Sequence, residues 1–131
     1  MRDILLLVGR ILLVLAFIST GFSKFMNLGG TANYIASSGL PAPFVLAVLS
    51  GLVELGCGLA ILVGYQTRLA ALGLALFTLA TIPFFHHFWN MTDQARMANE
   101  IQAWKNLSLV GAFLMLAGVG AGRLSIDRSS E

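Results

Sequence analysis

Apolar residues fall into four blocks along the chain, at residues 4–22, 44–64, 69–88 and 104–122, and polar residues collect between them. Each block is close to the ~20 residues an α-helix needs to cross a hydrocarbon layer of about 30 Å. The blocks are apolar nearly all round, whereas a helix on the surface of a soluble domain keeps a polar face. The pattern predicts an all-α fold, an integral membrane four-helix bundle forming one domain over 1–131, with helices at about 4–25, 44–64, 69–88 and 104–122.

The stretches between the blocks carry their own signals. Between the first two blocks, Gly29-Gly30, Ser37-Ser38-Gly39, Pro41 and Pro43 mark a connection, within which residues 30–36 predict a short interfacial helix with Tyr34 at headgroup level. Residues 65–68 leave room only for a tight turn between antiparallel neighbours. Pro83 withdraws the hydrogen bond to the Leu79 carbonyl and so predicts a kink one turn ahead of His86 and His87. Residues 89–103, with Asp93, Arg96 and Glu100, form the most hydrophilic stretch and are expected in water or on the interface. Gly118 and Gly122 mark either a close helix contact or a fraying end, before a polar exit from Arg123 to Glu131.

Against this apolar background the few charges inside the blocks stand out. Glu54 lies at the middle of the second block, and a carboxylate at mid-membrane must face a bundle interior, a cation or a wet cavity. On the same helix Ala47, Ser50, Gly51, Gly58 and Ile61 share its face, which predicts a seam where another helix approaches closely. Arg10, Phe17, Gly21 and Lys24 form one stripe of the first helix at 100° per residue. By helix rise Glu54 is ~15 Å from either end of its helix and Arg10 within about 6 Å of that level, so an Arg10–Glu54 pair is expected. Lys24 and Lys105 enter from the opposite side with His86 and His87, which sketches a polar funnel narrowing onto the carboxylate.

Composition narrows the function classes. Hydrophobic residues make up 57% and charged residues 11% of the 131, far below the roughly 25% charged of soluble domains. The net charge of +2 is spread over single residues, so no nucleic-acid partner is expected. Cys57 is the only cysteine, which excludes an internal disulfide or a CxxC pair. His86 and His87 are adjacent and lack the i, i+4 spacing of a shared ligand sphere, so no metal site is assigned. Arg2 and the apolar run after it resemble a signal peptide, but no small-x-small cleavage site follows, and the run is expected to stay as the first helix. With four spans, the termini and the 65–68 turn share a side carrying Arg2, Arg68, Arg123 and Arg128, against Lys24, Arg96 and Lys105 opposite, which favours cytoplasmic termini.

A cationic, proton-exchanging pocket beside lipid suits a quinone head or another small polar ligand. The same charges would also serve to pin the register of the bundle with no ligand. Gly9-Arg10, Gly21-Phe22-Ser23-Lys24, Glu54-Leu55-Gly56-Cys57-Gly58, Gly64-Tyr65-Gln66-Thr67-Arg68, His86-His87-Phe88-Trp89, Lys105-Asn106-Leu107 and Gly122-Arg123-Leu124-Ser125-Ile126-Asp127 occur in an order and spacing that resembles the DoxX family of small bacterial inner-membrane proteins. The resemblance implies a multi-pass inner-membrane subunit associated with redox or oxidative-stress chemistry, working with redox-enzyme partners rather than as a catalyst by itself. The expected ligand-binding set is Arg10, Lys24, Glu54, His86, His87 and Lys105, with a quinone or other small molecule as ligand, the lipid bilayer as surroundings and a homo-oligomer as one assembly. The alternatives are a small-molecule or ion permease and a non-catalytic membrane scaffold.

Overall fold

The computed structural model describes residues 1–127, and every regular element within them is helical. The helices are α1 (Arg2–Met26), α2 (Leu28–Ser37), α3 (Pro43–Val63), α4 (Thr67–Phe85) and α5 (Asp93–Val119), with a 3₁₀ turn at Phe88–Asn90. The sequence predicts four spans and a short interfacial helix at 30–36; among the described residues there are five helices, four long rods and the short α2 at Leu28–Ser37. Three segments, Arg2–Met26, Pro43–Val63 and Thr67–Asn90, are long and apolar enough to cross a membrane. Arg128 and the rest of the polar exit to Glu131 lie outside the described residues.

Local chemistry explains where the helices begin and end. Asn27 breaks α1 and starts α2, its side-chain oxygen accepting from the Gly30 N–H at 3.1 Å. Pro43 occupies the first turn of α3, where its missing N–H costs nothing, and Gly64 ends the helix at φ +75°. Two boundaries differ from the sequence expectation. The third predicted helix stops at Phe85, so His86 and His87 follow the helix instead of sharing its faces. Pro83 lies inside its last turn, and the His86 N–H makes the closing bond to the Ile82 carbonyl at 2.9 Å. The fourth predicted helix begins at Asp93 rather than near Trp104. Residues 93–103 are polar but rich in Ala, Met, Gln, Glu and Arg, so helix propensity carries the rod beyond its apolar block.

The burial pattern is inverted relative to a water-soluble domain. Arg10 is 1% exposed and Glu54 6%, while Leu76 is 70% exposed and Met115 74%. Such an arrangement is stable only where hydrocarbon is the outer solvent, because each exposed Leu or Met would otherwise forgo about 1.5–3 kcal/mol of burial. The tight core occupies the half of the molecule nearer the termini, where Val14 and Phe17 of α1 meet Ile61, Ala71, Leu74 and Phe113. Phe17 and Phe113 pack edge to face at 5.3 Å.

At that end the chain is tied to itself by polar bonds. The guanidinium of Arg10 donates to the carbonyls of Ile61 (2.8 Å), Leu62 (3.2 Å) and Leu124 (2.5 Å). The segment after α5 runs back over the α3–α4 turn, with the Ile126 and Asp127 N–H groups bonded to the carbonyls of Val63 and Gly64. Asp127 in turn accepts from the N–H groups of Gln66 (2.8 Å) and Thr67 (2.9 Å), capping α4. Burial alone would raise the Asp127 carboxyl, but the hydrogen bonds from Thr67 and Gln66 and the charge of Arg10 outweigh it and hold the group below its ordinary value.

A carboxyl lowered in the folded state contributes stability above the unfolded value of about 3.9 and loses it as pH falls through the lower folded value. Asp127→Ala is therefore expected to cost about 1 kcal/mol at neutral pH, the worth of a helix cap. The gap between wild type and variant should close in unfolding curves recorded below about pH 4. A gap that stays constant into that range would show that the carboxylate form carries nothing.

Candidate functional site

Thr20 and Lys24 lie one helical turn apart on α1, with Gly21 beside them on the face turned towards α3. Gly21 lets the two backbones meet: a Cβ there would stand 2.8 Å from the backbone nitrogen of Leu55 and 3.1 Å from the Glu54 Cβ. This contact sets Glu54 level with the last turns of α1. Around the carboxylate, α3 opens into a π-helical turn at Val53–Cys57. Such turns insert one residue into the helical ladder and recur at functional sites, because they re-aim a side chain without breaking the rod.

The carboxylate is fully engaged. Lys24 Nζ forms an ion pair with Glu54 Oε1, and the Thr20 hydroxyl donates to Oε2 at 2.7 Å. The Lys24 ammonium also lies over the Phe77 ring, 5.3 Å from its centroid. The side chains are unequally exposed, Glu54 at 8% and Lys24 at 25%, so the cation is the more accessible partner.

Above this pair opens a cavity of about 730 Å³. It is lined by residues of α1 and α3, of α4 and α5, and of α2 with Leu40 and Pro41. Its surface is chiefly apolar and aromatic, from Phe17, Phe77, Phe84 and Phe85, with Tyr34 of α2 stacked on Phe85 at 5.3 Å. The α4–α5 wall adds a polar ladder. Asn106 Nδ2 donates to Thr81 Oγ1 at 2.9 Å, Thr81 donates to the Thr78 carbonyl at 2.6 Å, and the buried Thr78 hydroxyl has no partner.

Four of the six sequence-expected residues line this cavity: Lys24, Glu54, His86 and Lys105. His86 sits where the chain leaves α4, its Nδ1 2.9 Å from Asn99 Oδ1. Lys105 is exposed on α5. Arg10 and His87 are not among the lining residues. Arg10 caps the far end of α3, and the expected Arg10–Glu54 pair is replaced by Lys24–Glu54. His87 bonds Asn90 Oδ1 at 2.6 Å and packs edge to face on Trp89. Among the described residues no three His, Cys, Asp or Glu side chains converge on one point.

Thr20, Phe77, Thr78 and Thr81 are not singled out by the sequence, and Asn106 enters only within the Lys105-Asn106-Leu107 motif. Thr20 alone carried a usable signal, since it lies four residues before Lys24. Chemically, the site offers a charge-neutral pair at its floor, spare ammonium hydrogens facing the cavity, hydroxyl and amide groups on one wall, and aromatic surface elsewhere.

The DoxX family model matches residues 5–87, a span that holds Lys24, Glu54 and His86 but ends before Lys105. Inner membrane protein YphA of Escherichia coli (strain K12) is 43% identical over 127 residues, covering 97% of this chain and 91% of that protein. Inner membrane protein YqjF of the same organism is 41% identical over 128 residues, covering 98% and 93%. Uncharacterized membrane protein Rv3486 of Mycobacterium tuberculosis is 32% identical over 135 residues, covering 91% and 77%. No solved structure matches the chain.

Proposed function

The chain belongs to the DoxX family, and on that premise we propose that it is a multi-pass inner-membrane protein that binds a small amphipathic molecule, a quinone head group or close chemical relative, in the cavity above Lys24 and Glu54. The observation that carries this reading is the cavity itself: about 730 Å³, within the usual ~300–1,000 Å³ of small-molecule sites, mostly apolar, with a few convergent polar groups. Because Lys24 and Glu54 neutralise one another, the floor favours a neutral dipolar ligand over a bare ion. The ammonium supplies a charge-assisted donor to a carbonyl, and the aromatic walls hold a flat ring.

In this reading α5 is the fourth span. Cytoplasmic termini, favoured by the arginines on that side, would open the cavity towards the outer face of the inner membrane. The protein then serves redox chemistry as a binding subunit beside partner enzymes.

Native mass spectrometry of protein extracted with its lipids is expected to show a retained prenylated ring compound. A short-chain benzoquinone should raise the thermal midpoint of the purified protein. Glu54→Gln should weaken that binding about tenfold or more, because the unanchored lysine no longer presents its hydrogens. Absence of both a retained molecule and any quinone-dependent stabilisation would overturn the reading.

A further inference from the structure

We propose that His86 accepts a hydrogen bond from the bound molecule, so that the cavity selects the reduced, hydroxyl-bearing form of its ligand over the oxidised, carbonyl form. This rests on the reading of the cavity as a quinone-type site.

His86 is held by Asn99 of α5. The Asn99 Nδ2 lies 2.9 Å from the carbonyl oxygen of Ala95, one turn earlier on α5. A backbone carbonyl only accepts, so the amide end facing it is the NH₂ group. The end facing His86 is then the amide oxygen, 2.9 Å from Nδ1, and since that oxygen also only accepts, Nδ1 carries the hydrogen. In the neutral imidazole this leaves the lone pair on Nε2, which has no protein partner among the described residues. Asn99 thus acts as a positioning residue: it fixes the tautomer from a regular helix, and His86 lines the cavity as an acceptor.

Lys24 at the floor has the opposite character, offering only donors. A molecule reaching from Lys24 to His86 needs an acceptor at one end and a donor at the other. A hydroquinone supplies both, because each hydroxyl accepts and donates. A quinone has two acceptors and sets a carbonyl against the Nε2 lone pair. No electron transfer is part of this inference; it concerns which redox form is bound.

The test compares a short-chain benzohydroquinone with its benzoquinone under anaerobic conditions at pH 8. Wild type is expected to bind the reduced form about five- to tenfold more tightly, the worth of one hydrogen bond. In His86→Leu the preference should vanish, with the two forms bound equally, and an unchanged helical circular dichroism spectrum reports that the variant is folded. Asn99→Leu, which frees the tautomer, should reduce the preference without abolishing it. Equal or tighter binding of the quinone by wild type, as would follow if Lys105 or Gln102 donated at the mouth, overturns the inference and leaves the quinone site standing. So does a preference that survives in His86→Leu. Failure of wild type to bind either probe removes both.

Discussion

Replacing Arg10 with leucine is expected to destabilise the protein by about 3 kcal/mol, lowering its thermal midpoint in detergent by on the order of 10 °C. Leucine fills much of the space but leaves the carbonyls of Ile61, Leu62 and Leu124 without their shared donor. The first two belong to the last turn of α3, where the Ile61 carbonyl keeps only the Gly64 N–H at 3.1 Å, and the third holds the returning C-terminal segment. One planar guanidinium serves all three, a geometry that an ammonium does not reproduce, so Arg10→Lys should recover only part of the loss. Because Arg10 does not line the cavity, ligand affinity should be nearly unchanged in whatever fraction stays folded. An unaltered midpoint in the leucine variant would show that the cap carries no stability.

Gly21→Val is expected to do comparable damage by a different route, about 2–4 kcal/mol together with loss of ligand binding. The new Cβ alone would stand 2.8 Å from a backbone atom of Leu55, and backbone cannot rotate away as a side chain can. Helices α1 and α3 must separate, which draws Lys24 and Thr20 away from Glu54. Gly29→Val provides the contrast, since a Cβ there meets nothing within 4 Å. The comparison is made by unfolding in mixed micelles with a quinone titration alongside. Equal behaviour of the two variants would mean that the α1–α3 approach is not what builds the site.

Arg10 also lies at a different height from the one its place in the sequence predicts. Depth counted along ideal helices assumes that every span is centred in the same slab, which put Arg10 close to the height of Glu54. In the structure Gly21 is level with Glu54, and Arg10 lies eleven residues earlier on α1, roughly 16 Å further down. The close approach of Gly21 to Leu55 and Glu54 marks the offset of α3 along α1, and nothing in either helix's own sequence states that offset. The histidines were displaced for a related reason: adjacent residues sit about 100° apart on a continuing helix, but α4 stops at Phe85, leaving His86 at the cavity and His87 against Trp89.

What the chain's own pattern settled was that helices long and apolar enough to cross hydrocarbon dominate it and that Glu54 needs a sheltered, polar environment, because apolar length and the cost of a bare carboxylate are properties of residues counted along one helix. Which cation answers Glu54, the π turn that aims it, the Thr81–Asn106 ladder and the Asn99–His86 contact were decided only in three dimensions. Each depends on the axial offset and rotation of one helix against another, and those are fixed by close approach at positions such as Gly21, where the absence of a side chain carries the information.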